Sequence, residues 1–206
     1  MNPFPFPHPP HMLRETASQT AGPYVHIGLA PQQAGFDVYR NPIGASLLAD
    51  GLEGQPIVLS GLVLDGAGAP VRDALLEIWQ ADAHGRYAGP EAAGFRGWAR
   101  ACTDFDKGSY RIDTIKPGRV MGRDGRWMAP HINVWLVARG INLGLHTRIY
   151  FADEAEANAV DPVLSLIDGE GRLQTLLARP EGAGDEWVYR FDIHLQGERE
   201  TVFFEL

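Results

Sequence analysis

A single cysteine, Cys102, stands among 206 residues, so no disulfide can form within the chain, and a disulfide-stapled secreted scaffold is excluded. Such a solitary cysteine reads as a core thiol of an intracellular protein. Long apolar runs are missing as well. Nothing approaches the ~20 apolar residues that a membrane-spanning helix needs, and Met1 to Pro10 have neither the basic start nor the continuous apolar stretch of a secretory signal. These absences together predict a cytoplasmic protein with no membrane partner. Basic charge is in deficit too: the formal net charge is −8 and the pI about 5.3, the wrong sign for a nucleic-acid groove. The sequence has no GxxxxGK[ST] phosphate loop, no GxGxxG opening a helix and no GxSxG nucleophile elbow. Nor is there an internal repeat at 20 to 50 residues. Its acidic residues are scattered through turns, where solvated carboxylates normally sit.

What is present is the material of a folded β protein. Hydrophobic residues make up 45% and charged residues 21%, which is ordinary for a globular chain. Residues 1–30 hold many of the prolines and little periodicity, and read as an irregular arm that packs on a partner chain. Residues 31–206 then read as one β-sandwich domain. From Ile57 onward short apolar runs alternate with glycine-rich turns: IVLSGLVLD, ALLEIWQ, GWARACTD, SYRIDTI, INVWLVA, HTRIYF and VYRFDIHLQG. Each is rich in β-branched or aromatic residues and bounded by Gly, Pro or Asp. Strands at this spacing predict an all-β sandwich or barrel. DGAGAP between the first two reads as a hairpin turn. Two stretches break the rhythm, DEAEANAV opened by Asp153 and RLQTLLA, and both predict short helices on loops.

Candidate chemistry is sparse. In APHINVWL, strand alternation puts His131 and Asn133 on one face and Ile132 on the other. Two histidines so placed could share a metal, but an amide is a poor ligand for a transition ion, and a lone strand histidine is more commonly a hydrogen-bonded structural residue. Tyr87, which closes the turn-rich ADAHGRY, reads equally well as an amphipathic packing residue with its hydroxyl at the surface. Arg139 on its own would be a surface arginine.

Six segments taken in order carry more: SQTAGPYVHIG at 18–28, LEIWQADAHGRY at 76–87, TIKPG at 114–118, APHINVW at 129–135, ARGINLGLHTRIYF at 138–151 and YRFDIHLQGERETVFF at 189–204. Together they resemble the intradiol ring-cleavage dioxygenases, and within them the subunits that work as an alpha-beta pair. The resemblance implies a mixed β-sandwich whose catalytic chain holds one non-haem Fe(III) through two tyrosinates and two histidines. Mapped here, those positions are Tyr87, Val120, His131 and Asn133, so half of the shell is absent, and Met128 stands where the catalytic chain has an arginine. The resemblance therefore implies no metal and no catalytic residue in this chain. Fe(III) would sit in a homologous beta chain that cleaves protocatechuate with O2 to 3-carboxy-cis,cis-muconate. Thr20, Ala21, Gly22, Pro23 and Arg139 would line its substrate cavity from the alpha side. Two other readings stay open. One is a self-sufficient dioxygenase completing its shell with His84 or His146, and the other is a β-sandwich binding module without catalytic association.

Overall fold

The structure, a computed structural model, describes residues 19–39, 44–89, 95–181 and 187–205. Its frame is a mixed sheet. Strand β1 (Pro56–Leu64) lies antiparallel to β4 (Ser109–Ile115) on one side and parallel to β10 (Val188–Arg190) and β11 (Ile193–His194). From β10 the sheet runs through β9 (Leu177–Glu181), β8 (Leu145–Phe151), β7 (His131–Val137), β2 (Leu75–Gln80) and β3 (Trp98–Cys102). A separate ribbon pairs β5 (Val120–Met121) with β6 (Trp127–Met128).

Side-chain alternation folds this sheet over one core. Leu59 and Val63 of β1, Ile112 of β4, Leu76 and Ile78 of β2, and Ile132, Val134 and Leu136 of β7 are buried in a single cluster. Both ends of the sheet thus share one interior, as burial of period-two apolar faces requires. Gly61 is fixed by packing: a β-carbon there would lie 1.8 Å from the Phe191 carbonyl oxygen, which also accepts the buried Tyr110 hydroxyl at 2.6 Å. A smaller cluster of Ala129, Tyr150, Ala157, Leu164, Leu176 and Val202 covers the opposite face of β7 and β8.

The expected all-β architecture with short helices is what the chain adopts, with four local differences. Pro23–Leu29 forms helix α1 inside the arm, because Pro23 in the first turn presets the helical φ and forgoes only an N–H that has no intrahelical partner; residues 1–18 lie outside the described ones. The first loop helix, α2, spans Ala155–Ala159 and starts after Glu154, not Asp153. The Asp153 carboxylate is already engaged, accepting from Lys116 at 2.7 Å and from the Tyr189 hydroxyl at 2.8 Å. The second, α3, is Glu170–Gln174 and ends early, since Leu177 and Ala178 join the sheet beside Tyr150 and Phe151. Cys102 is half-buried on β3 rather than in the core; burial raises its thiol pKa to about 11, against a weaker opposing pull from Arg100. DGAGAP is a turn as expected: Asp65 Oδ1 accepts the N–H groups of Ala67 and Ala69, and Gly68 takes φ 78°.

Candidate functional site

The turn after β2 and the end of β4 are locked together before any functional side chain is placed. Asp82, buried, accepts backbone bonds from His84 and Arg86 and a side-chain bond from Arg86, while its own carbonyl accepts Gly118 N–H at 2.9 Å. Gly85, at φ 78°, would drive a β-carbon to 1.8 Å from the Arg119 carbonyl, and one on Gly118 would come within 2.4 Å of the Ala83 carbonyl. This contact brings Tyr87 to the face of β7 that carries His131 and Asn133.

There three of the four carried-over positions, Tyr87, His131 and Asn133, are joined in a hydrogen-bond relay. His131, 1% exposed, donates from Nδ1 to the Ala129 carbonyl at 2.8 Å, which leaves Nε2 as an acceptor for the Tyr87 hydroxyl at 3.3 Å. Asn133 Nδ2 donates to the Tyr87 oxygen at 3.2 Å and to the Trp79 carbonyl at 3.1 Å. Tyr87 also stacks on Trp79, the planes within 4°, so its hydroxyl turns inward and not to the surface. Val120 is buried and pairs with Met128 across the β5–β6 ribbon. The loop before His131 is held by Asp161, whose carboxylate accepts Ala129, Val163 and Leu164 N–H as well as the Tyr150 hydroxyl at 3.4 Å. Burial, then the nearby Arg148 charge, lower the His131 pKa to about 4 against weaker support from Ala129 and Asp161, so the ring is neutral at pH 7.

These residues do not fit a ferric ion. The imidazole lone pair accepts the Tyr87 hydroxyl, Asn133 presents N–H donors, and Val120 presents methyl groups. The two further histidines considered for a shell are not brought in. His84 Nε2 faces Glu53 Oε2 at 2.7 Å, and His146 stands opposite Trp135, four residues along β7 from His131 and roughly 13 Å away at ~3.3 Å per residue.

The second group of carried-over residues also converges. Ala21, Gly22, Pro23 and Arg139 line one cavity of about 570 Å³ with His26, Phe36, Arg72, Asp73 and Phe105. Thr20 Oγ1 accepts Gly140 N–H at 2.9 Å, tying the arm to the loop after β7. Arg139 Nε lies 2.9 Å from Asp73 Oδ2, with the arginine side chain 76% exposed and the aspartate 28%. The arm rests on its own sheet at three more points: Arg100 donates to the Leu29 carbonyl, Gln33 donates to the Thr103 carbonyl, and the His26 ring sits 5.4 Å from Phe105.

Sequence reasoning missed Asp73, Asp161 and Arg148. Arg148 had a legible signal, since alternation in HTRIYF puts it on the side of β8 shared with His146 and Tyr150. Asp73 and Asp161 sit in turns with no local mark. The His26 imidazole Nε2 is buried without a hydrogen-bond partner, and burial lowers its pKa against an opposing pull from Asp73.

With this geometry in place, comparison with known proteins settles the class. A family profile described as Dioxygenase matches residues 43–197, and the chain belongs to the intradiol ring-cleavage dioxygenase family. It is 50% identical over 199 residues to the protocatechuate 3,4-dioxygenase alpha chain of Pseudomonas putida, covering 96% of this chain and 99% of that one. It is 33% identical over 161 residues to the beta chain of protocatechuate 3,4-dioxygenase from Burkholderia cepacia, covering 74% and 63%. Among solved structures, the dioxygenase domain of a dioxygenase carbohydrate-binding protein fusion from Streptomyces sp. SirexAA-E superposes with a TM-score of 0.55 at 28% identity, covering 77% of this chain and 88% of that one.

Proposed function

We propose that this chain is the iron-free alpha subunit of a protocatechuate 3,4-dioxygenase, and that it works in the cytoplasm bound to a homologous beta chain. The observation that carries the reading is a pairing of two sites. Three positions of the metal shell are tied into a hydrogen-bond relay and the fourth is a buried valine, while Ala21, Gly22, Pro23 and Arg139 gather around one open cavity, with Thr20 bonded alongside. The Fe(III) of the beta chain supplies the activation of the catecholate toward O2 and the cleavage between its hydroxylated carbons.

This chain's residues position the substrate. A small aromatic acid needs a cation for its carboxylate, and the guanidinium of Arg139 offers charge-assisted bonds in a fixed fork. Asp73 grips the Nε edge of that fork and so fixes its direction. Gly22, with no side chain, lets backbone approach a ligand closely, and Pro23 stiffens the turn behind it. Thr20 couples the arm to the Arg139 loop, so the two halves of the wall keep one spacing.

The test is to purify the chain alone and together with a beta chain from the same source, and to measure iron and oxygen uptake with protocatechuate. Iron at one per alpha-beta pair and uptake only in the pair are expected. One tightly held iron and uptake in the isolated chain would overturn the proposal.

A further inference from the structure

Strand β8 carries a cation beside the positions of the missing iron ligands. In the β7–β8 ladder Arg148 stands directly opposite Asn133, and Tyr150 directly opposite His131. Directly opposed residues project to the same face with β-carbons roughly 5 Å apart. The Arg148 guanidinium accordingly lies beside the degenerate shell: Nη1 is 3.3 Å from the Tyr150 hydroxyl and 3.5 Å from Met128 Sδ. Tyr150 in turn packs its ring 5.7 Å from His131, and Met128 is the ribbon partner of Val120.

Among the described residues Arg148 makes no direct ion pair. Asp161 reaches it only through the shared Tyr150 hydroxyl, its carboxylate also accepting three backbone N–H groups, and so offsets the charge only in part. A half-buried guanidinium bonded to a phenol and a thioether rather than to a carboxylate still repels a second cation brought alongside it where water is largely excluded.

We infer that Arg148 is a built-in metal excluder: its guanidinium sets a positive charge beside the former shell positions, and it bars Fe(III) independently of the lost ligands. Restoring the ligands is then not enough to restore the metal. The inference rests on the family's shell positions and not on the proposed substrate role, so failure of oxygen uptake with a beta chain would leave it standing.

The experiment compares iron retained per chain, by metal analysis after gel filtration and by the visible tyrosinate-to-Fe(III) absorption. The proteins are V120Y/N133H, V120Y/N133H/R148Q and V120Y/N133H/R148K, each checked for folding by circular dichroism. The R148Q triple variant is expected to hold iron at least tenfold more tightly than the other two. Equal binding by the double variant and the R148Q triple, or by the R148K and R148Q triples, overturns the inference. Because the added tyrosine could disturb the β5–β6 ribbon, R148Q is also made alone and titrated with Cu(II). At least tenfold tighter binding than the natural chain is expected, and equal affinity refutes the exclusion.

Discussion

At the scale of single residues the sharpest test lies with Arg139. Replacing it by alanine in the assembled alpha-beta enzyme should raise KM for protocatechuate roughly ten- to a hundredfold, the loss of one charge-assisted bond of about 1.5 to 3 kcal/mol. Iron content should stay the same and catechol, which lacks the carboxylate, should be little affected; steady-state oxygen uptake on both substrates measures this. Asp73→Ala should produce a weaker shift of the same kind, a severalfold rise in KM with kcat held. His131 makes a different prediction, about stability. Its pKa is about 4 in the fold against 6.5 as the ordinary value, so between those limits the unfolded chain binds more protons than the folded one. The contribution is therefore complete above pH 6.5 and is lost as pH falls toward 4, by an amount on the order of 3 kcal/mol. Urea midpoints should fall across that window, and His131→Gln should flatten the slope. The positions Tyr87, Val120, His131 and Asn133 were legible through the family resemblance. The joining of Tyr87, His131 and Asn133 into one relay was not, because it depends on a turn 44 residues before His131 folding back over β7.

Among the elements, the contact between the ADAHGRY turn and the KPGRV segment decides where Tyr87 points. Gly85→Ala meets both a positive φ and a carbonyl at 1.8 Å. It should cost more than about 2 kcal/mol in chemical unfolding, whereas alanine at Gly125, also at positive φ but with nothing within 4 Å, should cost nearer 1 kcal/mol. The strands of the core were readable because their alternation is local. The helix starts were less so, since capping propensity gave Asp153 to α2 while tertiary contacts gave it to Lys116, whose ammonium lies 2.7 Å from both Asp153 and Glu154. Burial would lower the pKa of that lysine, yet its bonds to Asp153, Glu154 and Tyr189 leave it raised. The aspartate answers in kind: burial would raise its pKa, and the bonds from Lys116 and Tyr189 hold it below the usual carboxylate range. A sequence window cannot see such competition between a cap and a distant partner.

Over the whole molecule the surface is uneven. Tyr24, Ile27, Leu29, Phe36, Val38 and Tyr39 are all exposed, Tyr24 to 84% and Val38 to 66%, although α1 and its flanks are bonded to the chain's own sheet. So much apolar area in one short stretch fits a face covered by another chain. Its burial in a permanent hetero-complex should exceed the ~2,000 Å² typical of such assemblies. The isolated chain should self-associate in sedimentation experiments, and Tyr24→Ser with Val38→Ser should reduce this. A monodisperse monomer of the natural chain at tens of micromolar would contradict the expectation. Composition and charge argued against nucleic-acid and membrane partners, but the face itself needed the fold, because the arm shows no periodicity from which to read one side.

Strand β1 has β4 on one flank, about 50 residues downstream, and β10 and β11 along it, about 130 residues downstream. A growing chain cannot complete that ladder until the stretch around Val188–His194 has left the ribosome. Closure of the sheet is a late and long-range event, and domains that depend on such pairings fold slowly and expose unpaired strand edges while they wait. The stretch that carries β10 and β11 thus acts as a latch. A chain cut before β10 should retain the β2–β3–β7–β8 ladder yet be a ready target for proteases, and a beta chain seeking its partner would find a finished surface only once the Val188–His194 stretch has been made.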